Sequence, residues 1–257
     1  MYLYLEKDTF LHRLNPITKI IGVILLSIQA MIFNHPIYLL FILVLVIIIG
    51  IVSRSLANIK RFTFFLVLLA GFSTVLWSLF LKIGSPVFNL LFLSVSKESF
   101  LYGLGMGMRL ITMVISGLIF LSCTNVEEVT WGLNKLGLPF PVSFSLSLGF
   151  RLVPVLLGSA KTVKEAQITR GLDLETGGII TKIRKYAPLL IPIFAVALRK
   201  VEGFSMSLEG KGFGVDKKRT YYLKFKVRAK DYLVIGLLMA LNIGSIYLRI
   251  IGYGVVF

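Results

Sequence analysis

The sequence predicts an all-α polytopic membrane protein, with about five transmembrane helices and a cytoplasmic module of amphipathic helices. Three observations carry that reading. The chain of 257 residues is 56% hydrophobic with a mean hydropathy of +0.87, more apolar surface than a soluble protein of its length needs. Several apolar runs approach the ~20 residues that cross a bilayer. Its 28 basic residues outnumber 12 acidic ones, a net charge of +16. A nucleic-acid binder shows such a balance, but not together with long uncharged apolar runs, so no nucleic-acid partner is expected. In a membrane protein, surplus Lys and Arg belong in cytoplasmic loops, where they set topology and meet membrane lipid headgroups.

The elements follow in order. The first span is 17–33, interrupted only by Lys19 near its start, and Asn34-His35-Pro36 is a tight turn signal. The second, 37–52, carries no charge. A basic connection with Arg54, Lys60 and Arg61 leads to a third span, 62–81. Residues 82–99 contain Gly84, Ser85 and Pro86 and read as a loop with a short apolar piece at 87–95. The fourth span is 100–122, and the last is 232–251. The expected division is therefore 1–122 for transmembrane helices one to four, 123–230 for a cytoplasmic or interfacial module, and 231–257 for the C-terminal transmembrane helix. The N-terminus mixes charges of both signs and does not read as a secretory signal.

Basic residues orient the spans. Lys7, Arg13 and Lys19 precede the first, and Arg54, Lys60 and Arg61 follow the second, while the turn between them has no Lys or Arg. The N-terminus is therefore expected in the cytoplasm and the C-terminus outside. More than half of the 28 basic residues fall between Lys161 and Lys230, which places the middle region on the cytoplasmic side.

That region has two short apolar segments, 142–157 and 187–198, rich in Pro and Ser. They read as buried or interfacial helices, because counting them as spans would put the basic cluster at 170–185 outside. Each runs into a charged helical stretch. Leu156, Ala160, Val163, Gln167 and Gly171 recur at spacings of four and three; so do Ala197, Val201, Phe204, Leu208 and Gly212. Each set is one stripe of an amphipathic helix. Both stripes end in a small-basic-glycine triplet, Thr169-Arg170-Gly171 and Gly210-Lys211-Gly212. Glycine stops a helix by taking φ > 0, and the neighbouring cation then projects unshielded. In a partner's pocket its charge meets carboxylates in reduced dielectric. Two such tips suit a partner with two similar pockets. A lone Arg on an amphipathic helix is otherwise a solvated charge, and the repetition is what favours a docking role.

Other signals are weak. Cys123, the single cysteine, reads as a packed thiol at a helix end, and His12 and His35 stand apart as loop or interfacial residues, so no metal-ligand cluster is legible. Gly103 and Gly107 form a G-x-x-x-G whose plainer meaning is close helix packing. Arg109 lies within the fourth span, open to a functional role or to snorkelling. Glu127 and Glu128 are adjacent and so do not pair on one helix face. No phosphate-binding loop and no nucleophile–base set is present, so neither ATP hydrolysis by this chain nor a cofactor is expected.

Several segments, in order from about residue 10 to about 220, resemble the T component of energy-coupling factor transporters. Leu11-His12-Arg13-Leu14-Asn15-Pro16-Ile17-Thr18-Lys19 is similar to that family's opening LHRLDPRTKL pattern, with Asn15 for Asp and Ile17 for Arg. Arg151, within Phe150-Arg151-Leu152-Val153-Pro154, and then Glu165-Ala166-Gln167-Ile168-Thr169-Arg170-Gly171 resemble its first Ala-Arg-Gly region. Pro188 to Pro192, then Leu208-Glu209-Gly210-Lys211-Gly212-Phe213-Gly214, resemble its second. The resemblance implies a non-enzymatic subunit of the cell membrane. Its two coupling helices would dock Arg170 and Lys211 into two ABC-type ATPase subunits. They would also move a small substrate-binding membrane subunit that takes up a vitamin or transition-metal ion. Arg151, Glu165, Gln167 and Glu209 would support the tips. Thr169 and Gly210 replace alanines, and Lys211 replaces an arginine, losing its bidentate fork. The alternatives are a self-sufficient secondary transporter or channel, which would want acids within its spans, and a membrane enzyme acting on lipid phosphates.

Overall fold

The computed structural model describes residues 4–5, 7–81, 86–90, 93–173, 176, 178–214 and 225–254. Lys217, Lys218, Arg219 and Lys224 of the predicted basic region lie outside the described residues, as do 82–85 and 91–92 of the predicted loop. The chain forms two units, one of residues 1–139 with 225–257, the other of residues 140–224. The first contains α1 (Pro16–Ile32), α2 (Pro36–Val52), α3 (Leu56–Phe80), β1 (Pro86–Leu90), β2 (Leu93–Ser96), α4 (Lys97–Cys123), α5 (Val126–Lys135) and α8 (Ala229–Ile250); the second contains α6 (Phe140–Thr169) and α7 (Ile179–Gly210). The fold is helical, as expected, apart from the antiparallel β1–β2 hairpin where the sequence reads as a loop.

All five predicted spans are helices. Among the described residues α3, α4, α6 and α8 are long and apolar enough to cross a membrane, while α1 and α2 are apolar but have 17 residues each. The appearance of α6 in that set differs from the sequence reading. The apolar segment 142–157 and the charged stretch after it form one continuous helix of 30 residues. Pro154 sits inside it, and Pro188 and Pro192 sit inside α7, each removing one rung of the hydrogen-bond ladder without ending the helix.

Helix starts are set by capping chemistry. Asn15 Oδ1 accepts from the Ile17 amide at 3.0 Å, with Pro16 as the first helical residue of α1. His35 caps α2 in the same way, with Pro36 following. Asp231, buried at 1% exposure, accepts from the Arg228 amide at 2.7 Å and the Asn15 amide at 2.8 Å, which holds the starts of α8 and α1 at one level. Cys123 is a buried free thiol at the C-terminus of α4, as predicted.

Lys19 and Glu128 complete this end of the unit. The Lys19 ammonium donates to His12 O at 3.0 Å, Cys123 O at 2.9 Å and Glu128 Oε2 at 2.7 Å. The N-terminal segment, α1, α4 and α5 thus meet at one cation. At the other end, the carbonyls of the last turn of α1 are taken by arginines from neighbouring helices. Arg109 donates to Ala30 O at 3.0 Å, Phe33 O at 2.8 Å and Asn34 Oδ1 at 2.8 Å, and Arg249 donates to Ile32 O at 2.5 Å. The last turn of α1 has no basic residue of its own, so these cations both fill its orphan acceptors and oppose its dipole. The charge inside the fourth span therefore caps a neighbouring helix.

Between these ends α1, α2, α4 and α8 bury Leu25, Leu26, Val46, Ile115, Ile119 and Leu238. Polar bonds cross between helices where lipid offers no alternative partner: Asn58 Nδ2 to Ser122 Oγ at 2.7 Å and Gln29 Nε2 to Ser245 Oγ at 2.6 Å. α3 and α4 pack backbone to backbone. A Cβ on Gly103 would lie 2.7 Å from Thr74 O, and one on Gly107 would lie 2.9 Å from Ala70 O, so the G-x-x-x-G is a packing face.

Candidate functional site

The second unit carries both predicted triplets. Residues Leu152, Leu156, Ala160, Val163 and Gln167 of α6 are partly covered, whereas Arg151, Lys161, Lys164 and Glu165 beside them are exposed. The predicted stripe from Leu156 to Gln167 is thus the covered one, while its terminal Gly171 is exposed. On α7, Ala197, Phe204 and Leu208 follow the same rule, but Val201 is 44% exposed, so the second stripe is narrower than its spacing indicates.

The two tips have the same backbone geometry. At the end of α6, the Gly171 amide donates to Ile168 O at 2.9 Å and the Leu172 amide to Gln167 O at 3.0 Å, with Gly171 at φ +92°. At the end of α7, the Gly212 amide donates to Glu209 O at 2.9 Å and the Phe213 amide to Leu208 O at 3.0 Å, with Gly212 at φ +73°. Each is a Schellman motif, and in each the basic residue is the capping position. Glycine is required after it because an L side chain is strained at positive φ. Arg170 and Lys211 are exposed, and among the described residues neither side chain makes a hydrogen bond or ion pair. Both stand at the negative end of a helix dipole, which favours a cation there.

The supporting residues divide. Gln167 and Glu209 act through their main-chain carbonyls, which close the two motifs. The Thr169 hydroxyl donates back to Ala166 O at 2.8 Å and does not project. Glu165 faces Lys161 across 3.9 Å on the open surface of α6, a pair worth little there. Arg151 is exposed far back along α6, so it does not join the first tip.

Two anchors escape the sequence reading. After the first tip, Lys185 Nζ on α7 donates to Asp173 Oδ2 at 3.2 Å, Thr176 O at 2.9 Å and Thr176 Oγ1 at 2.9 Å, clasping the connection onto α7. After the second, the Phe213 ring packs on Phe144 at 4.5 Å and Phe140 at 6.2 Å. α6 and α7 are therefore antiparallel, and the tips lie at opposite ends of the pair. At 1.5 Å per residue, the helix between Phe144 and Arg170 puts them on the order of 40 Å apart.

Comparison with known proteins agrees with this architecture. The profile of the cobalt transport protein family, CbiQ, matches residues 7–222. An energy-coupling factor transporter transmembrane protein EcfT of Thermanaerovibrio acidaminovorans is 29% identical, over 96% of this chain and 94% of its own length. The proteins of that name from Clostridium kluyveri and Bacillus subtilis are 27% and 25% identical, over 90% and 96% of this chain and 89% and 96% of their own lengths. With that family's profile covering most of its length and its helices laid out as a multi-pass membrane protein, the chain belongs to the CbiQ family as a transmembrane T component of energy-coupling factor transporters.

Proposed function

We propose that this chain is a non-catalytic energy-coupling subunit. Its two tips dock into two ABC-type ATPase subunits on the cytoplasmic side. α6 and α7 pass the closing of that motor to a small substrate-binding membrane subunit for a vitamin or transition-metal ion. The observation that carries this reading is the pair of matched caps. Two unshielded cations, held by the same hydrogen bonds at opposite ends of one helix pair, fit two like acidic grooves about one helix length apart.

The surface between the tips supports the second half of the reading. Leu157, Leu190, Ile191 and Phe194 are all more than 60% exposed, apolar surface that a membrane partner would cover. A self-sufficient transporter draws less support. Among the described residues, the buried charged side chains Lys19 and Asp231 are engaged in tying helix ends together.

Co-purification of the tagged full chain with its ATPases is the test. Arg170→Glu is expected to abolish ATPase recovery while membrane insertion stays intact, and normal recovery would remove the docking role. Lys211→Arg is expected to preserve or strengthen assembly, since it restores a planar fork at a site that already holds a cation. Weakened assembly would mean that the second groove is shaped to an ammonium.

A further inference from the structure

Two cavities in the first unit share a wall. One, of about 290 Å³, is enclosed by α1, α2, α4 and α8, and its lining is apolar apart from Thr18, Lys19, Ser116 and Thr124. The other, of about 330 Å³, is polar and is lined by Arg13, Arg228, Lys230, Asp8 and Asp231. Phe10 and Leu14 line both. The polar cavity lies where α1 and α8 begin, the level at which the chain passes from charged sequence into apolar helix. The apolar cavity is bordered by Ile48, Val52, Leu233 and Leu237, all more than half exposed, so its mouth opens onto an exposed apolar face of the unit.

The charges of the polar cavity are unevenly matched. Asp8 is hydrogen-bonded to Arg13, which holds its carboxyl below the usual carboxylate range, so this pair cancels. Asp231 is buried, with its oxygens on the Asn15 and Arg228 amides. Arg228 and Lys230 are both exposed, and the Lys230 ammonium sits 5.7 Å from the Phe10 ring that separates the two spaces. One positive charge is left over, placed at the mouth of an apolar slot.

We propose that the paired cavities bind one anionic phospholipid, its acyl chain in the apolar slot and its phosphate on Arg228 and Lys230. An acyl chain from the bilayer would enter through that apolar face without crossing water, and its atoms would gain contacts with the apolar lining. The two cations at headgroup level then select a phosphate whose charge is not cancelled within the headgroup.

Native mass spectrometry of the full chain, titrated in one detergent with dioleoylphosphatidylglycerol or dioleoylphosphatidylcholine, tests this. The expected result is one tightly held phosphatidylglycerol, retained about tenfold better than phosphatidylcholine. Arg228→Gln with Lys230→Gln, at two exposed positions, should bring phosphatidylglycerol down to the phosphatidylcholine level and leave the latter unchanged. Gly22→Leu projects into the slot from α1, where a Cβ meets only Leu238 Cδ1 at 3.7 Å, and should weaken both lipids. Equal retention of the two lipids by the unaltered chain overturns the proposal, as does phosphatidylglycerol binding undiminished in the Arg228→Gln/Lys230→Gln variant. Retention of neither lipid overturns it as well, and leaves the slot to a partner's apolar side chain.

Discussion

Lys19 shows how a single side chain organises one end of the first unit. An ammonium has three protons and no acceptor, and here each proton has its own oxygen on a different part of the chain. The side chains of Lys19 and Glu128 are 6% and 19% exposed, so the pair is largely withdrawn from water. Removing one partner of such a pair strands the other charge. Lys19→Met is therefore expected to lower stability by about 3 kcal/mol, at the low end of the range because Glu128 keeps some solvent access. Thermal unfolding of the detergent-solubilised protein reads this directly, and an unchanged midpoint would show that the network carries no load. None of this was legible in the sequence. Lys19 reads as a topology marker, and its acid lies 109 positions away, beyond any helical spacing. Arg109 likewise reads as a charge in a span, because nothing local indicates that it serves the end of α1. The tips were legible because a glycine after a periodic stripe carries its own backbone reason.

At the level of elements, α4 presents glycine to two neighbours. Gly103 and Gly107 meet the backbone of α3, and Gly105 lies against the α1–α2 turn, where a Cβ would come 2.5 Å from Asn34 O. Backbone cannot yield as a flexible side chain can. Gly103→Val is expected to force α3 and α4 apart and to destabilise by about 2 kcal/mol. Gly117→Ala on the same helix, with nothing within 4 Å of its Cβ, should be neutral or stabilising. Comparing the unfolding midpoints of the two variants separates close packing from a general effect of side chains on α4. The long elements were readable because apolar runs are their own signal. α5 was missed because its ten residues form no long apolar run, although Asn125 caps it and Glu127 and Glu128 stand in its first turn. The β1–β2 hairpin was missed because its short apolar piece has no distinctive turn pair. The run of the apolar segment 142–157 into the charged stretch after it was legible, and α6 is that one helix, with Pro154 tolerated inside it.

On the scale of the whole molecule, the chain separates a unit with interhelical polar bonds and a buried core from one whose helices are mostly exposed. Among the described residues, the second unit buries Ser143 and Leu189 and leaves most of its apolar surface uncovered. Its arrangement is open to direct measurement. Spin labels at Ile168 and Met206, in a Cys123→Ser background, should report a separation on the order of 40 Å. A distance near half of that would mean that the two ends lie side by side, against the proposed docking into separate grooves. The caps have one more consequence. Their loops are fixed by main-chain amides and by Gly171 and Gly212, so the identity of the capping residue contributes little to the shape beneath it. Each end can thus change its headgroup chemistry without a refolding penalty and independently of the other. Arginine at one end and lysine at the other is what such freedom permits.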